Sequence, residues 1–129
     1  MKYEDNEIYR KSFNFSVDVV NLYRKLCKNG HEYELYNQIL KSATSIGANI
    51  TEGLEGQSKK DFVSKFSIAL KEAAETEYWL DLFNKTNILE ENEYRNYKKE
   101  IRSIIRILSK IVRSTKNNME GANNDKKSV

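Results

Sequence analysis

The chain has 129 residues, of which 32% are charged, with a net charge of +3, five glycines, one cysteine and no proline. That length suits one domain with a real core, and the charged, proline-free composition favours long helices over a turn-rich sheet fold. No apolar run reaches the roughly 20 residues that span a bilayer, the start Met1-Lys2-Tyr3-Glu4-Asp5 lacks a signal peptide's apolar centre, and the lone Cys27 cannot form an internal disulfide, so a cytoplasmic protein with no membrane association is expected.

The first helix is predicted from about Glu7 to Lys28, and it carries two apolar seams. Tyr9, Phe13, Ser16, Val20, Tyr23 and Cys27 form one. Ile8, Phe15, Val19, Leu22 and Leu26 form another, displaced by about 100° around the axis. The wide arc must meet a second bundle helix or another subunit, and we favour a subunit. Asn29-Gly30-His31 then fits a tight helical turn, with Gly30 suited to a left-handed helix end.

The second helix, from about Glu32, has the core stripe Leu35, Ile39, Ala43, Ile46, Ile50 and Leu54, and its later half is rich in small residues. A polar series, Ser42, Ser45, Asn49 and Glu52, runs along a neighbouring face. Buried polar groups must be hydrogen-bonded, so this series is expected to fix the packing of helices rather than form a reaction site. Ser58, followed three residues later by Asp61, is a suitable cap for a third helix from about Lys59 to Asn84. Its seam is Phe62, Phe66, Ala69, Ala73, Thr76, Leu80 and Phe83.

The fourth helix is predicted from near Glu90 to about Lys116, with the seam Tyr94, Tyr97, Ile101, Ile104, Leu108, Ile111 and Thr115. Residues 117–129 are polar and are expected to form a disordered tail behind a bundle comprising residues 1–116. Four helices with short connections predict an all-α, antiparallel up-down-up-down four-helix bundle, and their wide apolar faces argue against a monomer.

Ser45-Ile46-Gly47-Ala48-Asn49-Ile50-Thr51-Glu52-Gly53, followed by Gln57-Ser58-Lys59-Lys60-Asp61-Phe62, resembles the signature of bacterial four-helix-bundle proteins encoded within intervening sequences of 23S ribosomal RNA genes. Gly47 stands where that family usually has proline, and Thr51 where it usually has alanine. The resemblance implies a ring-shaped homopentamer. It also implies a distant relation to accessory proteins of diversity-generating retroelements, which bind nucleic acid and a reverse transcriptase.

Chemistry-bearing patterns are few. His31 is the sole histidine and falls in a turn, Cys27 lies on an apolar seam, and no phosphate loop, dinucleotide fingerprint or metal-ligand spacing occurs, so no catalytic residue, cofactor or metal is assigned. The most suggestive surface is a basic stripe on the fourth helix: Arg95, Lys99, Arg102, Arg106, Lys110, Arg113 and Lys116. With Lys98, the segment 95–116 holds eight basic residues against the single acidic Glu100, a formal +7 in a chain of +3. Such concentration is the electrostatic footprint of a phosphate-backbone binder, although basic residues near a helix C-terminus are also favoured by the helix dipole. The expected function is an oligomeric RNA-binding accessory protein, with a reverse transcriptase as a candidate partner. A protein-interaction scaffold without nucleic-acid binding is the alternative.

Overall fold

The structure is a computed structural model; it describes residues 2–127, with side-chain surroundings through residue 121. Four helices, α1 (Glu7–Asn29), α2 (Tyr33–Leu54), α3 (Lys59–Lys85) and α4 (Glu91–Lys127), make a four-helix bundle with no strand among the described residues.

Local chemistry sets the ends of these helices. The Asn6 side chain accepts the Tyr9 N–H at 2.9 Å to start α1, and Ser58 Oγ accepts the Asp61 N–H at 3.1 Å to start α3. Gly30 ends α1 in an extended conformation (φ −146°, ψ −178°), not the left-handed one expected. Glycine still fits there best, because a Cβ would lie 2.2 Å from the Tyr36 hydroxyl oxygen and that side chain would have to shift. The left-handed residue is Asn87 (φ 64°), in the α3–α4 turn, where the Ile88 and Leu89 N–H groups both bond to the Phe83 carbonyl.

Each helix buries the central part of the stripe that its periodicity predicts, while the end residues Leu35, Leu54, Phe62, Tyr94 and Thr115 are half-buried. On α1 the bundle takes Ile8, Phe15, Val19, Leu22 and Leu26, while the other seam stays half-buried and Phe13 and Val17 remain 40% and 45% exposed. Phe66, Leu80 and Phe83 of α3 meet Ile39, Ile46 and Ile50 of α2 and Ile101, Ile104 and Leu108 of α4 in one continuous core. Each helix packs against two others: α2 on α1 and α3, α4 on α3, and α1 closing against α4.

The registers follow from side-chain pairs. Ser16 and Tyr23 of α1 bond to Ala43 and Asn37 of α2. Lys65 and Thr76 of α3 meet Glu52 and Ser42 of α2. Asp81 and Glu77 of α3 meet Lys98 and Arg102 of α4. Along each pair, residue numbers rise on one helix as they fall on its neighbour.

α4 departs from expectation at its end. It continues to Lys127, so residues 117–127 are helical; residues 128–129 lie outside the described residues. No proline interrupts this segment, and Met119, four residues beyond Thr115, extends the seam into a surface depression shared with Val63 of α3. A lone methionine among polar residues was too weak a periodic signal to carry the helix onward in the sequence.

Candidate nucleic-acid interface

Burial of Ile101, Ile104, Leu108 and Val112 fixes the rotation of α4, and that rotation sends the basic residues outward. Arg95, Lys99, Arg102, Arg106, Lys110, Arg113 and Lys116 are all exposed, within about a third of the helix circumference.

The stripe divides into two zones. In the first, Arg95 Nε bonds to Glu91 at 3.0 Å, Lys98 Nζ lies 2.8 Å from Asp81 and 3.1 Å from Glu77, and Arg102 Nη1 lies 3.2 Å from Glu77. Burial disfavours the Lys98 ammonium, but its hydrogen bonds to Asp81 and Glu77 outweigh this and raise its pKa above the ordinary lysine value. Burial likewise pushes the Asp81 carboxyl up, and the bonds from Lys98 and Tyr94 overcome it, leaving the pKa below the ordinary value. Residues 90–102 contain four basic and four acidic side chains, and they face two further carboxylates, Glu77 and Asp81. That zone has no net positive field.

In the second zone, residues 103–118 contain Arg106, Lys110, Arg113 and Lys116 and no acidic residue. Among the described residues, these four form no ion pair. The longer α4 also weakens the dipole explanation for them. The dipole acts within the last turn of a helix, whereas Lys116 stands eleven residues before the end of this one.

α3 adds three lysines that sequence analysis missed. Lys59, Lys60 and Lys71 are exposed and form no ion pair among the described residues, and the register of α3 on α4 places them alongside the second zone. Lys60 and Lys71 lie about 60° and 80° around the axis from Val63, which borders Lys116. Their contribution depends on packing between two helices, so no stretch of sequence displays it. One signal was available: Lys59 and Lys60 occupy the first turn of a helix, where the dipole disfavours cations. The remaining lysine of this half, Lys65, pairs with Glu52 at 2.9 Å.

The polar series of α2 spreads over several roles. Ser42 is fully buried and lies 2.9 Å from Thr76 Oγ1, itself buried and 2.8 Å from the Glu72 carbonyl oxygen. Ser45 and Asn49 bond back to the carbonyls of Lys41 and Ser45 in their own helix, and Glu52 bridges to Lys65 on the surface. The small residues also divide: Ser42 meets α3, while Gly47 faces Ser12 and Ser16 of α1.

His31 is exposed, its Nδ1 3.5 Å from the Tyr33 hydroxyl, and Cys27 is half-buried on α1. Among the described residues, no group of three or more His, Cys, Asp or Glu side chains is placed to hold a metal ion, and no helix is long and apolar enough to cross a membrane.

The family model of the 23S rRNA-intervening sequence protein matches residues 4–110. No curated protein matches the chain. A crystal structure of a protein of unknown function from the S23 ribosomal protein family of Bacteroides thetaiotaomicron is similar: it is 43% identical, the alignment covers 81% of this chain and 97% of that one, and the TM-score is 0.80.

Proposed function

The chain belongs to the 23S rRNA-intervening sequence protein family, and from that premise we propose that it is a non-enzymatic RNA-binding accessory protein of the cytoplasm. One observation carries this reading: the segregation of charge on α4, where residues 103–118 present four basic side chains and no acidic one. Cations held on a rigid helix neutralise phosphates and release counterions, giving affinity with little sequence readout. The distant resemblance to retroelement accessory proteins makes a reverse transcriptase the candidate recipient of the bound RNA.

The same reading includes assembly. Antiparallel pairing along an up-down-up-down bundle, with an apolar face left open on α1, supports a ring-shaped homo-oligomer, and the family resemblance favours a pentamer. Each added copy presents another basic face.

The test is retention of a mixed-sequence RNA at two salt concentrations. Wild-type protein is expected to bind tightly at low salt and to lose affinity steeply as salt rises. Arg106→Glu combined with Arg113→Glu is expected to abolish binding while helical circular dichroism is unchanged. Undiminished binding by that variant would remove the assignment. A protein recovered in pull-downs after nuclease treatment, without RNA retention by the wild type, would favour the scaffold alternative.

A further inference from the structure

We propose that the apolar face of α1 seats on the outward face of α3 in the next copy of the chain, a head-to-tail contact of Phe13 and Val17 with Ile68 and Tyr78. This rests on the assembly reading above and names the two surfaces that meet.

A closed ring of more than two copies needs a heterologous contact, in which one surface of the protomer meets a different surface of its neighbour. Among the described residues the exposed large hydrophobic side chains are Phe13, Val17, Tyr33, Ile68 and Tyr78. Tyr33 sits at the end of the bundle beside His31. The other four lie on its sides, one pair on α1 and one on α3, so α3 carries the surface that can receive α1. Half-buried Val20 and Leu82 lengthen the two stripes.

The directions of the stripes suit closure. α1 and α3 stand at diagonal corners of the bundle, each packed on α2 and α4. Tyr9, Phe13 and Val20 lie on the flank of α1 next to Ser16 and Tyr23, which bond to α2. Ile68 lies on the flank of α3 next to Lys65 and Thr76, which also meet α2. Both stripes therefore lean toward α2 and face about a right angle apart, as adjacent sides of a square do. A head-to-tail contact repeated with a turn of that size closes after about four or five copies, whereas opposite faces would extend a filament. Closure in this sense sets α2 toward the axis of the ring and the basic row of α4 away from it.

The levels of the stripes suit the same contact. Ser16 bonds to Ala43 of α2, and the adjoining Ser42 bonds to Thr76 of α3, so Ser16 and Thr76 stand level on two helices that run the same way. Phe13 and Val17 are thus level with residues 73–77, between Ile68 and Tyr78. Copies in a closed ring are related by rotation alone, so bundles standing along its axis keep these levels, and Phe13 and Val17 meet the interval between Ile68 and Tyr78 of the next copy. Charge agrees in sign. The outward arc of α1 carries Arg10, Arg24 and Lys28, while that of α3 between Ile68 and Leu82 carries Glu72 and Glu75 with one cation, Lys71. Burial and the neighbouring Glu75 raise the Glu72 carboxyl above its ordinary pKa, with Lys41 acting the other way, so the acidic pair gains from a further cation.

The experiment is light scattering on the full chain at increasing concentration. Phe13→Glu with Val17→Glu removes one face, and Ile68→Glu with Tyr78→Glu removes the other. Each variant alone is expected to fall from the wild-type multiple to the protomer mass of 15.1 kDa, with helical circular dichroism unchanged because all four side chains are exposed. Each keeps the face that the other has lost, so an equal mixture is expected to form a dimer of twice that mass and nothing larger. A two-fold contact of α1 with itself predicts otherwise: the α3 variant keeps the wild-type mass and the mixture forms no such dimer. Either of those results overturns the inference and leaves assembly through α1 standing. A wild-type mass of one protomer overturns the assembly itself.

Discussion

Gly47 and Gly53 lie six residues apart on α2, and their surroundings predict opposite outcomes for the same substitution. A Cβ on Gly47 would come no closer than 3.5 Å, to Ser12 Oγ, which is ordinary contact. Alanine there should gain up to about 1 kcal/mol, because glycine is the costlier residue in a helix interior. A Cβ on Gly53 would lie 2.6 Å from Phe66 Cδ1. That ring is buried and stacked on Phe62 with centroids 4.0 Å apart, so it cannot swing aside. Gly53→Ala should therefore cost about 1–3 kcal/mol net of its helix-propensity gain. Urea unfolding of the two variants checks both signs, and a stabilised Gly53→Ala would show that the Phe62–Phe66 pair yields. The Ser42–Thr76 hydroxyl pair reports on the α2–α3 seam in the same way. Two hydroxyl protons serve three bonds, to each other and to the Ile39 and Glu72 carbonyls, so either residue can donate across the seam. Ser42→Ala and Thr76→Val should each cost about 1 kcal/mol, and together less than the sum, since both single changes remove the same bond across the seam.

At the level of the helix, the α3–α4 contact is the one that acid should loosen. Asp81 has a depressed pKa, so the unfolded chain binds its proton more readily than the folded chain does. Its stabilisation is present above the ordinary carboxylate value and is lost as pH falls through the lower folded value. Asp81→Asn should reduce stability at neutral pH by about 0.5–1 kcal/mol, a small figure because the side chain is 47% exposed and screened. It should also flatten the fall in stability between about pH 5 and pH 3, measured by urea midpoints across that range. An identical slope in wild type and variant would assign the acid sensitivity elsewhere. These cross-helix ion pairs mark the limit of what periodicity conveys. The bundle class and the starts of the helices were legible because apolar spacing and the cap at Ser58 act within one helix. The rotation of α4, and hence the exposure of its seven basic residues, followed from the same seam. Legibility ended where a second helix supplied the partner: Glu77 and Asp81 neutralise one half of the stripe, and Lys60 and Lys71 broaden the other. It ended again at Lys116, where Met119 gains its meaning only beside Val63.

Across the whole molecule, the two unpartnered surfaces lie on opposite sides. The basic patch occupies the α3–α4 face. The apolar face runs along α1, where Phe13 and Val17 are exposed and a depression of about 300 Å³ opens between α1 and α2, bordered by Tyr9, Phe13, Gly47 and Ala48. Burying an aromatic and a valine that the protomer leaves half in water is worth a few kcal/mol for each contact, at about 25 cal/mol per Å². Association through α1 would leave every α3–α4 patch facing outward, and linked patches bind one RNA with an effective concentration that single ones lack. Wild-type protein should therefore scatter light as a multiple of 15.1 kDa. Phe13→Glu with Val17→Glu should reduce it to that mass with helical circular dichroism intact, since neither side chain belongs to the buried core. RNA affinity should fall in the same variant by about tenfold or more although no basic residue has changed, which is the signature of lost multivalency. A wild-type mass of one protomer would sink the assembly, and unaltered affinity in the dispersed variant would show that each protomer binds alone.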